Sequence, residues 1–185
     1  MRRDWLNLPN LITLLRIAAV PMFLWVLFAE PDKTSPWRWL AVALFVAAIA
    51  TDGVDGAIAR RKNLVTDLGK LLDPIADKVL LGGALVALSM LNEVHWAFTI
   101  VILFRELALT AYRMAVLRDR VVAANAGGKL KTIMQGITVG FLLSPLDHYL
   151  PWLVPIETVA LYATTIVTVV TGLQYLVAAR RSSVA

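Results

Sequence analysis

The chain has 185 residues, 59% of them hydrophobic and 17% charged, with a mean hydropathy of +0.72 and no cysteine. Soluble domains are about 45–50% apolar and about 25% charged, so the composition points to a membrane protein and excludes a disordered chain. Without cysteine there is no disulfide scaffold, iron–sulfur cluster or zinc–thiolate site. The net charge of +5 and pI near 9.8 do not imply a nucleic-acid partner, because the chain leaves little soluble surface on which to present basic residues.

A spanning helix needs about 20 mostly apolar residues. One charge-free stretch meets that length, 158–179. Other apolar runs are shorter or interrupted. The run 17–29 follows Arg16, 39–50 ends before Asp52, and 79–92 follows Lys78; 94–104 meets Arg105-Glu106, and 132–146 follows Lys131. Together they leave too little polar surface to cover a soluble core. The expectation is an all-α polytopic membrane protein of six transmembrane helices, most with their polar residues at one end, forming a single domain over 1–185. Segment 4–15, with Trp5, Leu8, Leu11, Ile12 and Leu15 at helical spacing, is expected to begin as a short interfacial helix.

Turns are expected at 30–36 and 146–148, and a further break at Asn125-Ala126-Gly127-Gly128. Six crossings place twelve Lys and Arg on one side, among them Arg60, Arg61, Lys62, Lys129 and Lys131. They leave only Lys33 and Arg38 on the other. By the positive-inside rule both termini are cytoplasmic, in a multi-pass plasma-membrane protein. Trp37, Trp39, Trp96 and Trp152 are expected as interface anchors, and His95 and His148 as solvated loop residues on the outer face.

The chemistry concentrates between residues 52 and 77. Asp52, Asp55, Gly56 and Ala59 share one face of a helix at about 100° per residue. Asp73 and Asp77 are i, i+4 on the next helix. A short basic loop joins the two, so four carboxylates can cluster at one edge of the membrane. Four anions cannot stand together unpaired: they either bind cations or pair with Arg60, Arg61, Lys62, Lys70 and Lys78. Ionisable groups on one face at a spanning helix's end favour the first alternative, and oxygen-only ligands suit Mg²⁺ or Mn²⁺. Gly56 and Ala59 either let a phosphorylated ligand approach closely or let two helices pack tightly. Pro74 disfavours helical geometry at Asp73, so the third helix either starts or bends there.

The spacing Asp52-x2-Asp55-Gly56-x2-Ala59-Arg60-x8-Gly69-x3-Asp73-x3-Asp77 resembles the signature of the CDP-alcohol phosphotransferase family at every position. Segment 9–16 resembles the family's N-terminal stretch. Arg105-Glu106 and Gly128-Lys129-Leu130-Lys131-Thr132, with Gln135, resemble its bacterial members that act on glycerol phosphate. The resemblance implies a six-helix, homodimeric membrane enzyme. It would transfer the phosphatidyl group from CDP-diacylglycerol to sn-glycerol 3-phosphate, giving phosphatidylglycerol phosphate and CMP.

By the same resemblance Asp52, Asp55, Asp73 and Asp77 hold two divalent ions, Mg²⁺ or Mn²⁺. Asp77 takes the proton from the acceptor hydroxyl, and Gly56, Ala59, Arg60, Asn10 and Thr13 meet CDP-diacylglycerol. For the acceptor phosphate the candidates are Arg105, Arg113, Lys129 and Lys131. The competing reading of Arg105 is an ion pair with Glu106, and that of Lys129 and Lys131 is contact with anionic lipid headgroups. Same-family enzymes with another acceptor, a cardiolipin synthase or a phosphatidylinositol phosphate synthase, carry the same carboxylates. A carboxylate-based ion transporter would instead place acids at mid-membrane, with a polar path to the other side.

Overall fold

The computed structural model describes residues 8–61, 67–116 and 126–183, and for parts of these, including 52–61 and 67–74, the helix path alone. Every regular element among the described residues is helical: α1 (Leu8–Ala29), α2 (Pro36–Arg61), α3 (Asp67–Met90), α4 (Trp96–Val116), α5 (Ala126–Leu143), the one-turn α6 (Leu146–Tyr149) and α7 (Val154–Ser183), with a 3-10 turn at Pro151–Leu153 before the last. The six long helices alternate in direction. One end of the bundle gathers the start of α1 with the end of α2 and the start of α3, the last two carrying the aspartate signature; the other gathers the connections α1–α2, α3–α4 and α5–α7.

Helix α1 packs against α2 and α3, while α7 packs against α4 and α5, and α3 and α2 meet α5 between the two groups. The buried positions recur at helical spacing: Val20, Phe23 and Leu27 on α1, Ala41, Phe45 and Ala48 on α2, and Leu80, Ala84 and Leu88 on α3. Phe23 and Phe45 join two of these stripes, with ring centroids 5.8 Å apart. Lipid tails are as apolar as these side chains, so fit between helices decides the association. Gly136 and Gly140, one turn apart on α5, provide that fit. A Cβ at Gly136 would stand 3.3 Å from Ile49, and one at Gly140 3.6 Å from Phe45. The α5–α7 seam is polar instead: Gln135 Nε2 donates to Thr168 Oγ1 at 3.1 Å, and the Thr138 and Thr164 hydroxyls lie 2.7 Å apart.

The α3–α4 turn is a Schellman closure. Asn92 adopts φ 59°, Glu93 N donates to Leu88 O at 2.9 Å and Asn92 N to Ser89 O at 3.1 Å. This turn brings Glu93 to Arg38, whose guanidinium is fully buried and also donates from Nε to Leu143 O at 2.8 Å. Lys33 pairs with Asp147 across the same end. Within the α1–α2 loop, the Thr34 amide and hydroxyl both donate to Asp32 Oδ1 at 2.9 Å and hold its carboxyl below the usual range.

Several element boundaries differ from those expected. Only Pro151–Val177 is both long and apolar enough to cross a membrane among the described residues. The other apolar stretches are Thr13–Ala29, Pro36–Thr51, Lys78–Met90 and Lys131–Leu143, because the polar residues of each helix crowd toward the signature end. From Leu8 the chain is one continuous helix, so 8–15 are the first turns of α1 and not a separate interfacial element. Helix α3 begins at Asp67, so of the two alternatives at Pro74 a helix start is excluded. Helix α5 begins at Ala126, so Gly127 and Gly128 fall inside it. The 146–148 turn is a helical turn. Arg38 lies in the first turn of α2, buried, and not in a loop. Trp37, Trp39, Trp96 and Trp152 are exposed at the end away from the signature, as interface anchors would be, and His95 and His148 are exposed there too.

Candidate active site

The signature straddles the α2–α3 connection. Positions 52, 55, 56, 59 and 60 occupy the last three turns of α2, and positions 69, 73 and 77 the first three turns of α3. Both helices pack on α1, which carries Asn10 and Thr13 in its first turns. The side chains of Asp52, Asp55, Gly56, Ala59, Arg60, Asp73, Asp77, Asn10, Arg113 and Lys129 lie outside the described residues. Thr13 is buried. No cluster of three or more His, Cys, Asp or Glu occurs among the described side chains. The donor set itself is four carboxylates with no thiol or imidazole on either helix, which fits a hard divalent cation.

Beside the signature, α4, α5 and α7 bring together residues far apart in sequence. Glu106 Oε1 accepts from Arg105 Nη1 at 2.8 Å and also from Lys131 Nζ. Arg105 Nη2 donates to Thr171 Oγ1 at 3.0 Å. Two of the four proposed acceptor-binding cations therefore share one carboxylate. This is the ion pair expected as the competing reading of Arg105, with Lys131 added to it. The pairing leaves the cluster with two positive charges to one negative among these three groups.

A cleft of about 50 Å³ adjoins the cluster, lined by Lys78, Glu106 and Gln135 with Leu81, Gly82 and Leu107. It is apolar toward the bundle's middle and charged at its signature end. Its lining sets one cation, Lys78, and one carboxylate, Glu106, over an apolar floor.

Sequence reasoning did not find the contribution of α7. Its signal was a polar stripe at i, i+4, i+7 in an otherwise apolar helix, Thr164, Thr168 and Thr171. All three are hydrogen-bonded to α4 or α5. Glu106 was visible only as a sequence neighbour of Arg105, because its pairing with Lys131 spans 25 positions.

The described residues form a helical bundle with an acidic signature at one end, and comparison with known proteins gives its class. The chain belongs to the CDP-alcohol phosphatidyltransferase family, which it matches over residues 6–172. It is 42% identical over 182 residues to the CDP-diacylglycerol–glycerol-3-phosphate 3-phosphatidyltransferase of Bacillus subtilis, covering 91% of this chain and 93% of that one. It is 43% identical over 175 residues to a Mycobacterium tuberculosis protein named "Probable phosphatidylglycerophosphate synthase", covering 95% and 82%. A cardiolipin synthase (CMP-forming) of Oryza sativa is 37% identical over 162 residues, covering 79% of this chain and 48% of the plant protein.

Proposed function

We propose that this protein transfers the phosphatidyl group of CDP-diacylglycerol to sn-glycerol 3-phosphate, releasing CMP and phosphatidylglycerol phosphate. The observation that carries this reading is the 42% identity, over nearly the whole of both chains, to a protein named for that reaction. The cation cluster beside the signature supports it, since an acceptor that already bears a phosphate needs fixed positive charge before it can approach an anionic donor.

Asp52, Asp55, Asp73 and Asp77 are the residues that would hold Mg²⁺ or Mn²⁺, two ions per site, which when bound offset the charge of the donor diphosphate. Asp77 accepts the proton of the acceptor's 1-hydroxyl. The freed oxygen attacks the phosphorus bearing diacylglycerol, the bond to the CMP phosphate breaks, and CMP leaves with Arg60 beside it. Gly56, Ala59, Asn10 and Thr13 border the nucleotide. Arg105 and Lys131, with Arg113 and Lys129, hold the acceptor phosphate.

Helices α1 to α5 and α7 have 18 to 30 residues. At about 1.5 Å per residue they run about 27 to 45 Å, the scale of a bilayer core of about 30 Å. We read them as six crossings of a bacterial plasma membrane, with both termini and the signature on the cytoplasmic side, in a homodimer.

The test is CMP release by purified protein with CDP-diacylglycerol, Mg²⁺ or Mn²⁺, and one acceptor at a time. Turnover with glycerol 3-phosphate that stops on chelation supports the reading. Turnover with phosphatidylglycerol instead would make the protein a cardiolipin synthase, the second reading that the plant relative favours. Ion flux in liposomes without the lipid donor would return the transporter.

A further inference from the structure

Helix α7 entered the sequence reading by its hydropathy alone, yet it supplies the bed on which Arg105 rests. Thr171 Oγ1 donates its proton within its own helix, to Val167 O at 2.7 Å, so its lone pairs are free to accept from Arg105 Nη2. The next residue, Gly172, leaves the space in which the arginine stem lies. A Cβ there would stand 3.0 Å from Arg105 Nε and 3.1 Å from its Cγ. On the other side Glu106 holds Nη1. The guanidinium is thus fixed from two sides, while α5 brings Lys131 to the same carboxylate.

We propose that Thr171 and Gly172 are positioning residues for the acceptor: together they aim the Arg105 guanidinium at the acceptor phosphate, and they do so without touching substrate. The proposal rests on the glycerol-phosphate reading above. A planar guanidinium binds a phosphate through paired N–H donors only at a set orientation, so tilting it weakens the acceptor and leaves the donor alone. Thr171→Val keeps the volume and removes the acceptor oxygen. Thr171→Ser keeps the oxygen. Gly172→Ala adds the Cβ that the arginine stem would have to avoid.

The experiment is steady-state kinetics of the purified full chain in lipid–detergent micelles, varying each substrate separately, with a thermal midpoint for every variant. Turnover of glycerol 3-phosphate by the unaltered protein establishes the underlying reading, and its absence overturns that reading. Given that turnover, Thr171→Val is expected to raise KM for glycerol 3-phosphate about tenfold, the loss of a hydrogen bond to a charged group. The KM for CDP-diacylglycerol and the thermal midpoint stay put. Thr171→Ser returns the acceptor KM to within about threefold of the parent, and Gly172→Ala raises it about three- to tenfold. An acceptor KM unchanged in both Thr171→Val and Gly172→Ala overturns the inference alone. So does an equal rise in both KM values with a lower midpoint that Thr171→Ser does not rescue, which is a packing defect. Should Thr171→Val fail to accumulate, Gly172→Ala carries the test.

Discussion

The two ends of the bundle treat charge in opposite ways. Away from the signature, Arg38 meets Glu93 and the end of α5, and Lys33 meets Asp147, with Glu157 buried at the same end. Beside the signature, Arg105 and Lys131 converge on the single carboxylate of Glu106. A one-to-one pair is complete and serves to tie connections together. Two cations here share one acid. The difference lies in how charges are shared between helices, and neither composition nor topology would reveal it.

The largest effect expected is at the signature. Asp77→Asn should lower CMP release by about a hundred- to ten-thousandfold with the thermal midpoint retained, and chelation should do the same to the parent protein. Retained activity in Asp77→Asn would remove this residue from proton transfer. Next comes the unbalanced cluster. Arg105→Lys keeps the charge and loses the two-sided guanidinium geometry, so KM for glycerol 3-phosphate should rise about tenfold or more, while kcat at saturating acceptor changes less.

At the end away from the signature the sign of the comparison reverses: stability moves and catalysis does not. Arg38→Met strands Glu93 and the Leu143 carbonyl and should cost about 2–4 kcal/mol, read as a lowered thermal midpoint in detergent. Activity per folded molecule should hold, and the double variant with Glu93→Gln should recover part of the loss. Lys33→Ala breaks a partly buried pair at the bundle's end and should cost about 1 kcal/mol. If Lys33→Ala impaired the acceptor KM as Arg105→Lys does, the contrast between the two ends would collapse.

The smallest effect concerns Asp32, whose carboxyl is held below its ordinary value of 3.8 by the Thr34 amide and hydroxyl. A depressed folded pKa contributes stability that is fully present above the unfolded value and is lost as pH falls through the folded one. The difference in thermal midpoint between Asp32→Asn and the parent should therefore be constant from pH 7 to pH 5 and shrink only below about pH 4.

Much was legible without coordinates because helix periodicity and membrane solvation act locally. The six long helices, the loop at 30–36 and the family signature all follow from short-range spacing. Boundaries that depend on helix caps went astray: Gly127 and Gly128 signal a break in sequence, yet they fall in the first turn of α5, where helix amides need no intrahelical partner. Arg38 read as an outer-loop cation because its partners, Glu93 and Leu143, are 55 and 105 positions away. Of the expected interfacial segment 4–15, residues 4–7 lie outside the described residues and 8–15 run on into α1, since an apolar stripe has the same period whether the helix ends or continues.

By itself the sequence determined the all-helical class and the family signature, because each is a property of composition or of short-range spacing. Only the tertiary structure decided which charges are spent on each other. It set Gly136 and Gly140 against α2 and put Arg105 between Glu106 and Thr171. An ion pair is fixed by distance in space, and at separations of 25 to 114 residues the packing of helices alone sets that distance.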